Sequence, residues 1–327
     1  MRRLHIVTGK GGTGKSTVAA ALALALAYGG NKVLLAEAEG RQGIAQMFDV
    51  APLPYAEKRV AVAPGGGDVY ALAIDPEAAL LEYLDIYYRL GRAGKALDRF
   101  GAIDFATTIA PGLRDVLLTG KLYEAVRRRV RKGHEERVYD AVVLDAPPTG
   151  RITRFLNVNA EMAGLARVGP VHHQADSIMT MLRSQQTAVH LVTVLEEMPV
   201  QETADTIGEL TETRLPLGSV VVNLLRRGSL DDRALAAAEV GRLPAEGIRA
   251  GLEAAGLGSD PESTSTVVNG LQALGQAHAE RALLEQEQRR VVDKLGLPVV
   301  ELPRLNESID LGCLYELAED LREGGLA

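Results

Sequence analysis

Short runs of apolar and β-branched residues alternate along this chain with longer segments of helix-forming composition. The runs that we predict to be strands cover residues 4–8, 32–36, 69–74, 139–145, 188–194, 219–225 and 298–302. Each run is short and largely apolar, which is typical of strands that are covered on both faces of a sheet. Because strands that alternate with helices form parallel sheets, the pattern predicts a doubly wound, mostly parallel α/β fold.

Two longer stretches, residues 76–137 and 226–296, carry no clear strand pattern and are predicted to be mostly helical. We expect them to be segments of a helical subdomain inserted within a single domain of residues 1–327. Residues 51–67 are rich in Pro and Gly, which predicts a surface excursion. The basic run at residues 127–132 fits a solvated helix face better than a surface for acidic lipid or a partner.

Composition narrows the class of protein. The 327 residues are 46% hydrophobic and 24% charged, as in an ordinary globular protein. A net charge of −7 argues against a general nucleic-acid-binding surface, so no nucleic acid is expected as a partner. Cys313 is the only cysteine, which excludes a disulfide framework and favours a cytoplasmic location. No run reaches about 18 apolar residues, so any membrane role is expected to be peripheral or through a partner.

The residues after the first predicted strand carry the clearest chemical signal. Residues 9–16 read GKGGTGKS and match the phosphate-binding loop pattern G-x-x-x-x-G-K-[ST], with an Ala/Leu-rich helix following. Backbone N–H groups of such a loop converge on phosphate oxygens, Lys15 adds a full charge, and Ser16 can bind Mg²⁺. The predicted nucleotide-binding residues here are Gly11, Gly12, Thr13, Gly14, Lys15, Ser16 and Thr17.

Acidic residues leave two predicted strands at the same edge of the sheet. Asp145 ends an apolar strand, where a carboxylate can hold the water shell of Mg²⁺; the alternative is a capping Asp before a helix. Glu37 and Glu39 follow the second strand, and ligands of such sheets sit beyond the carboxyl ends of strands. No Asn-Lys-x-Asp guanine motif follows a strand, which favours ATP over GTP.

Two motifs together resemble the ArsA-type anion-transporting ATPase family. These are Lys10 within the loop and the sequence DAPPTG at residues 145–150, which the family writes DTAPTG. The family includes the tail-anchored-protein targeting ATPases and is related to MinD and ParA. Weaker likenesses lie at residues 110–112 and 202–203, and the match extends to about residue 312. The resemblance implies a P-loop NTPase fold with ATP and Mg²⁺ as ligands.

The resemblance also implies individual roles. Lys10 would be the signature lysine that reaches a nucleotide phosphate across a dimer interface, where it stabilises charge during phosphoryl transfer. Asn223 matches the residue that reads adenine, although a strand-end turn residue is the alternative. Pro303 matches the loop that packs on the adenine.

Two positions depart from the family pattern. The first switch of the family reads Asp-Pro-Ala-His, with Asp orienting the attacking water, whereas residues 39–42 here read EGRQ. Glu39 keeps the carboxylate but is longer by one methylene, so we expect hydrolysis that is slow or that depends on a partner. Arg151 stands where the family has His. With Cys313 as the only cysteine, neither a zinc-bound dimer nor an arsenite-binding thiol site is expected.

The leading hypothesis is an ArsA-like, Mg²⁺-dependent ATPase that works as a dimeric, nucleotide-driven switch. It would serve a transport or membrane-protein-related process, as a homodimer or as a heterodimer with a paralogous ATPase, for an unidentified membrane or protein client. The alternative is an ATP-binding regulatory subunit with little or no hydrolysis. A MinD-like spatial regulator fits less well, because the C-terminal end lacks a basic amphipathic helix.

Overall fold

The structure is a computed structural model. It describes residues 2–40, 42–88, 112–130, 136–165, 170–226, 228, 230–257, 260–305 and 309–327. The chain forms two compact units. The larger contains Met1–Val194, Met198–Leu225 and Leu295–Ala327, and the smaller contains Leu195–Glu197 and Arg226–Lys294.

The larger unit is built on an eight-stranded sheet. Its strands are β1 (Leu4–Gly9), β2 (Lys32–Glu37), β3 (Lys58–Val62), β4 (Asp68–Ala73), β5 (Ala141–Asp145), β6 (Thr187–Thr193), β7 (Leu217–Leu225) and β8 (Val299–Pro303). Their order across the sheet is β3-β4-β2-β5-β1-β6-β7-β8. All neighbours are parallel except β3 and β4, so the predicted mostly parallel sheet is confirmed.

Helices cover both faces of the sheet. They are α1 (Lys15–Ala27), α2 (Gly43–Met47), α3 (Pro76–Tyr88), α4 (Leu113–Arg127), α5 (Thr149–Leu165), α6 (Pro170–Leu182), α7 (Glu197–Glu212) and, at the end of the chain, α11 (Leu311–Glu323). One core packs α1 and α11 against the sheet, and the other packs α4, α5 and α6. This arrangement is the predicted doubly wound α/β fold.

Alternation along the buried strands explains the two cores. Val33 and Leu35 belong to the core on the α1 face, whereas Leu34 and Ala36 belong to the opposite core. Successive side chains of a strand point to opposite faces, so a strand buried on both sides must be apolar at every position. Helix α1 is itself almost entirely buried, which is why it consists mainly of Ala and Leu.

Two local predictions were wrong. Residues 58–62, within the predicted surface excursion, form the edge strand β3, in which only Ala61 is buried. The strand begins with the basic residues Lys58 and Arg59, so it lacks the run of apolar residues by which the other strands were predicted. Helix α4 ends at Arg127, and Arg129 pairs with Arg137 in an isolated antiparallel contact, so residues 128–130 and 136–137 of the stretch predicted to be mostly helical are not helical. Residues 89–111 and 131–135 of that stretch lie outside the described residues.

The smaller unit is helical where it is described. It contains α8 (Asp232–Glu239), α9 (Ala245–Ala254) and α10 (Pro261–Val292), the last with 32 residues. Asp260 caps α10 by accepting a hydrogen bond from the Ser263 N–H at 2.9 Å. The predicted organisation, one domain that includes residues 76–137 and 226–296 as subdomain segments, stays a prediction.

Candidate nucleotide-binding site

The candidate site lies where the chain connections of the sheet change direction. Strand β1 is flanked by β5 and β6, so the chain turns to one side after β1 and crosses to the other after β5. In open parallel sheets, ligands bind at the carboxyl ends of the strands beside such a switch point. The loop at residues 10–14 follows the carboxyl end of β1 and leads directly into α1.

Glycines give the loop a shape that other residues would not adopt. Gly12 and Gly14 have φ angles of 91° and 85°, in the region that favours glycine. At Gly9 a Cβ atom would lie 2.1 Å from the carbonyl oxygen of Val192 on β6, so only glycine fits there. Gly11 and Gly12 are exposed. The loop can therefore present its backbone N–H groups to a phosphate.

Asn223 is buried near the end of β7 and ties the loop to that strand. Its Nδ2 atom donates a 2.9 Å hydrogen bond to the carbonyl oxygen of Thr13. A Cβ atom on Gly14 would lie 2.3 Å from the same amide nitrogen, so a side chain at that position would displace it. The described geometry thus gives Asn223 a role in shaping the loop, and the reading of adenine stays a prediction.

Helix α1 follows the loop directly, and no side chain occupies the N–H groups at its amino end. Gly14 precedes the helix in the left-handed conformation, no side chain caps the first turn, and no acidic residue lies in it. The amino end of a helix carries a partial positive charge that favours anions. Lys15 is in this first turn and its side chain is buried, with the residue 8% exposed. A buried ammonium group calls for an anionic partner.

Ser16 and Asp145 meet beneath the loop. The Ser16 hydroxyl donates a 2.5 Å hydrogen bond to Asp145 Oδ2, while the buried Oδ1 atom accepts no hydrogen bond from any described residue. Burial raises the pKa of Asp145 to about 6, against the opposing effects of Ser16 and Lys15. A hydroxyl and a carboxylate with one unsatisfied oxygen are ligands suited to Mg²⁺, and a Mg²⁺ site commonly adds phosphate oxygens and waters. The residues present therefore fit this ion.

Two glutamates add negative charge near Asp145. Glu37 is the partner of Asp145 in the register of β2 and β5, and its Oε1 atom accepts a 3.2 Å hydrogen bond from the Gly43 N–H. The charges of Glu37 and Glu39 both raise the pKa of Asp145. The sequence-based expectation that these acidic residues gather near the loop agrees with this placement. A divalent cation would offset their mutual repulsion.

Lys10 forms an ion pair within its own chain. Its ammonium group contacts Glu202 Oε1 on α7, and both side chains are about a third exposed, at 32%. The other oxygen of Glu202 accepts a 2.8 Å hydrogen bond from the Thr149 hydroxyl at the start of α5. Lys10 and Thr149 both lower the pKa of Glu202. Sequence reasoning marked Glu202 only as a weak likeness and missed this contact, which joins residues far apart along the chain.

The two residues that depart from the family pattern lie beside each other. Arg151 on α5 approaches Glu39 Oε1 at 4.0 Å and Asp115 Oδ1 of α4 at 3.8 Å. Arg114 adds a 3.2 Å hydrogen bond to the carbonyl oxygen of Ala38. Burial raises the pKa of Asp115, and Arg151 opposes that effect. Sequence reasoning treated Glu39 and Arg151 as separate departures and missed Asp115.

Pro303 ends β8, which is the neighbour of β7. The register places Pro303 beside Leu225, two residues beyond Asn223. The Arg304 N–H donates a 2.7 Å hydrogen bond to the carbonyl oxygen of Leu225. The strand order therefore brings Pro303 and Asn223 to the same edge of the sheet as the loop. Its packing on a nucleotide base stays a prediction, as does the phosphate role of Thr17 at the start of α1.

Two buried histidines join the strands under the loop. His190 Nδ1 on β6 accepts a 3.2 Å hydrogen bond from the Ser219 N–H, so neutral His190 carries its proton on Nε2. That atom lies 3.1 Å from His5 Nδ1 on β1, which must then be the acceptor. Burial lowers the pKa of His5 to about 4 and that of His190 well below its usual value. Both rings are therefore neutral near pH 7.

Comparison with known proteins connects this geometry to a family. A family model described as Anion-transporting ATPase matches residues 2–184. The ATPase BagA of Mycobacterium tuberculosis is 54% identical over 325 residues, which cover 99% of this chain and 94% of that protein. The chain belongs to the anion-transporting ATPase (ArsA) family. The resemblance that Lys10 and the DAPPTG sequence indicated is confirmed.

More distant relatives carry more specific names. An arsenical pump-driving ATPase of Acidiphilium multivorum is 26% identical and spans 71% of this chain and 41% of its own length. The ATPase Get3 of Schizosaccharomyces japonicus is 24% identical and spans 67% of this chain and 73% of its own length. Nucleotide binding follows from membership of this ATPase family. The match to the family model includes Lys10, Lys15 and Asp145 but ends before Asn223 and Pro303.

Two absences concern the described residues only. None of their helices has the length and hydrophobicity needed to cross a bilayer. Within the same residues, no cluster of three or more His, Cys, Asp or Glu side chains is arranged to hold a metal ion.

Proposed function

We propose that this ArsA-family chain is a Mg²⁺-dependent ATPase that acts as a dimeric, nucleotide-driven switch. The single observation that carries the proposal is the Ser16–Asp145 hydrogen bond, with one unsatisfied Asp145 oxygen directly beneath the loop. Such an arrangement is useful where a cation must be held against the terminal phosphates of a nucleotide. Mg²⁺, when bound, neutralises charge on the phosphates. Ser16 would bind it directly and Asp145 through a water molecule.

Lys10 and Lys15 have separate tasks in this proposal. Lys15 is buried at the start of α1 and serves the phosphates bound to its own chain. Lys10 is partly exposed and held by Glu202, so it remains accessible from outside the chain. We propose that it leaves Glu202 to contact a phosphate bound to the partner subunit. Fixed cations that meet developing negative charge are among the strongest contributions to phosphoryl transfer.

Glu39 is the proposed group that orients the attacking water. Its side chain is 20% exposed and is held by the distant contact to Arg151 rather than by a close hydrogen bond to that residue. A small error in placing a reacting group lowers the rate steeply. The extra methylene of Glu39, compared with the Asp of the family pattern, therefore supports hydrolysis that is slow or that depends on a partner, either a second copy or a paralogous ATPase. It also favours the second candidate function, an ATP-binding regulatory subunit with little turnover.

The client of the switch is proposed to be a membrane or protein partner rather than arsenite. Cys313, the only cysteine, cannot supply a site of several thiolates. On α10 the side chains of Val267, Leu271 and Leu274 follow a helical spacing and are exposed by 46%, 40% and 68%. Exposed apolar stripes of this kind mark surfaces for partners. We infer a cytoplasmic ATPase that reaches any membrane through such a partner.

Steady-state phosphate release tests the enzymatic part of the proposal. Wild-type protein should release phosphate from ATP only when Mg²⁺ is present, and Lys10→Ala should abolish that turnover while leaving ATP binding nearly unchanged. Lys58→Ala, on the edge strand β3, is the matched control and should behave as wild type. Turnover indistinguishable from buffer, with and without co-purified partners, would instead establish the regulatory subunit.

A further inference from the structure

A cavity lies at the end of the sheet where the strands begin, opposite to the nucleotide site. It has a volume of about 260 Å³ and is bordered by the end of α4, by α6 and by the residues that precede β5 and β6. Arg137 precedes β5 and Gln186 precedes β6, so the cavity is at the amino ends of these strands. The phosphate-binding loop is at the carboxyl ends. The cavity is therefore separate from the site described above.

Positive charges converge on this cavity. Arg129 and Arg137 face each other in an antiparallel pairing, an arrangement that is unfavourable for like charges. Arg127, at the end of α4, contributes a third guanidinium group to the lining. Close by, the pKa of Arg3 is lowered by burial and by the charge of Arg137, and Asp140 offsets this only in part. Three arginines therefore line this cavity in a chain whose net charge is −7.

Within the described residues, neither Arg127 nor Arg137 forms an ion pair with a carboxylate. Glu57 and Glu124 are both engaged by Arg128, which points to the other side of the chain segment. Within the described part of the chain, Arg127 contacts only the Tyr123 hydroxyl and ring, and Arg137 donates a 2.9 Å hydrogen bond to the Val126 carbonyl oxygen. Each guanidinium keeps further N–H donors for an anion.

The opposite wall of the cavity accepts hydrogen bonds. The Ser177 and Thr180 hydroxyls each donate their proton to a backbone carbonyl oxygen of α6 at 2.8 Å. Both residues line the cavity, and each hydroxyl oxygen keeps a lone pair that can accept a hydrogen bond. A ligand that matches both walls must carry an anion at one end and hydroxyl donors at the other.

We propose that this cavity binds the phosphate ester of a polyol, such as a glycerol or sugar phosphate. A phosphate offers three acceptor oxygens, so it can engage more than one planar guanidinium group. The polyol hydroxyls donate to Ser177 and Thr180. The same chemistry is available from a free metabolite or from a glycerol-phosphate lipid headgroup, and the cavity volume suits a ligand of that size. The site is independent of the proposed hydrolysis of ATP.

Binding of glycerol 3-phosphate to the full chain tests this proposal. The Lys15→Ala background removes phosphate binding at the nucleotide loop. In that background, calorimetry should show saturable binding, with inorganic phosphate and glycerol each weaker. Arg127→Gln and Arg137→Gln should each weaken the affinity about tenfold, as expected for loss of one charge-assisted contact. Flotation with phosphatidylglycerol vesicles, compared with phosphatidylcholine vesicles, identifies a lipid source.

Controls separate binding from folding and from general charge. Arg249→Gln, an exposed arginine of the smaller unit, should leave affinity unchanged. If Arg137→Gln lowers the melting temperature, Arg127→Gln on the surface of α4 carries the test alone. The proposal is overturned if glycerol 3-phosphate and the anionic vesicles both fail to bind, or if they bind Arg127→Gln as tightly as wild type. Equal affinity for glycerol 3-phosphate and inorganic phosphate overturns the polyol part.

Discussion

Two neighbouring parts of the candidate nucleotide site, the loop corner (residues 9–17 with Asp145 and Asn223) and the switch corner (Glu39, Asp115 and Arg151), differ in how firmly they are held. Around the loop, Lys15 and Asp145 are 8% and 7% exposed, and the Ser16 and Asn223 contacts are hydrogen bonds of 2.5 and 2.9 Å. Around the first switch, the Arg151 side chain is 55% exposed, and its contacts to Glu39 and Asp115 are 4.0 and 3.8 Å. Exposed ion pairs at such distances are weak and are screened by salt.

The difference separates binding from turnover. The loop corner is held together within the chain itself, because its hydrogen bonds connect β1, β5, β7 and α1 within the buried sheet. The switch corner is held in part by the long contacts of Arg151, whose side chain is more than half exposed, so those contacts can be rearranged at little cost. We therefore expect substitutions at the loop to abolish nucleotide binding, and substitutions at the switch to change mainly the rate of hydrolysis.

The largest effect is expected from Lys15→Ala. Loss of the buried ammonium group leaves phosphate charge uncompensated, so ATP affinity should fall by about 100-fold or more. Titration with a fluorescent ATP analogue measures this. Lys32→Ala is the control and should bind ATP normally, because Lys32 is exposed at the start of β2, at the opposite end of the strands from the loop. Near-normal affinity in Lys15→Ala would show that the loop corner is not the nucleotide site.

Asp145→Asn should lower the rate of ATP hydrolysis more than it lowers the affinity for ATP. The amide cannot hold a cation as a carboxylate does, so we expect about a 100-fold loss of turnover, while ATP affinity changes by less than about tenfold. Chelation of Mg²⁺ should lower wild-type turnover by a similar factor and have little further effect on the variant. Asp140→Asn, at the other end of the same strand segment, serves as the control. An Asp145→Asn variant that still responds fully to Mg²⁺ would contradict the assignment.

The sequence predicts the loop corner better than the switch corner, for a physical reason. Loop, strand and helix are contiguous from Leu4 to Ala27, so local pattern and glycine positions determine their geometry. Asp145 is distant in sequence, yet the apolar strand that it ends predicts its place at the sheet edge. Arg151 and Asp115 meet only through the packing of α4 against α5, and no sequence pattern encodes that contact.

Segments at the edge of the sheet and at the surface are likewise predicted poorly from the sequence. Strand β3 buries only Ala61, so its sequence lacks the apolar run that marked the central strands. Helix α4 stops at Arg127, where Arg128 turns to an extended backbone and Arg129 then pairs with Arg137, although the helix propensity of arginine gives no sign of this end. The sequence predicts secondary structure well where a segment is buried on both faces, because burial then restricts the residue type. Where one side of a segment faces solvent, contacts with neighbouring segments determine its structure.

At the switch corner, Glu39→Gln should lower hydrolysis about 100-fold, since the amide cannot accept a proton from the attacking water. Arg151→Gln should lower it only about fivefold, because its contact to Glu39 is long, at 4.0 Å, and the Arg151 side chain is 55% exposed. Neither change should alter ATP affinity by more than about twofold. Arg151→Lys should restore part of the rate, and Arg249→Gln, an exposed arginine of α9, should have no effect. Equal losses in Arg151→Gln and Arg249→Gln would remove Arg151 from the site.

The smallest effect is expected where the two corners meet, at Glu202. This carboxylate holds Lys10 and also accepts the Thr149 hydroxyl, so it competes with any phosphate for the Lys10 ammonium group. Because both partners are partly exposed, Glu202→Gln should raise the fraction of ATP-dependent dimer only about two- to threefold. Sedimentation velocity with a non-hydrolysable ATP analogue measures the change, and Glu212→Gln on the same helix is the control. If Glu202→Gln weakens the dimer instead, the contact prepares Lys10 for its partner rather than restraining it.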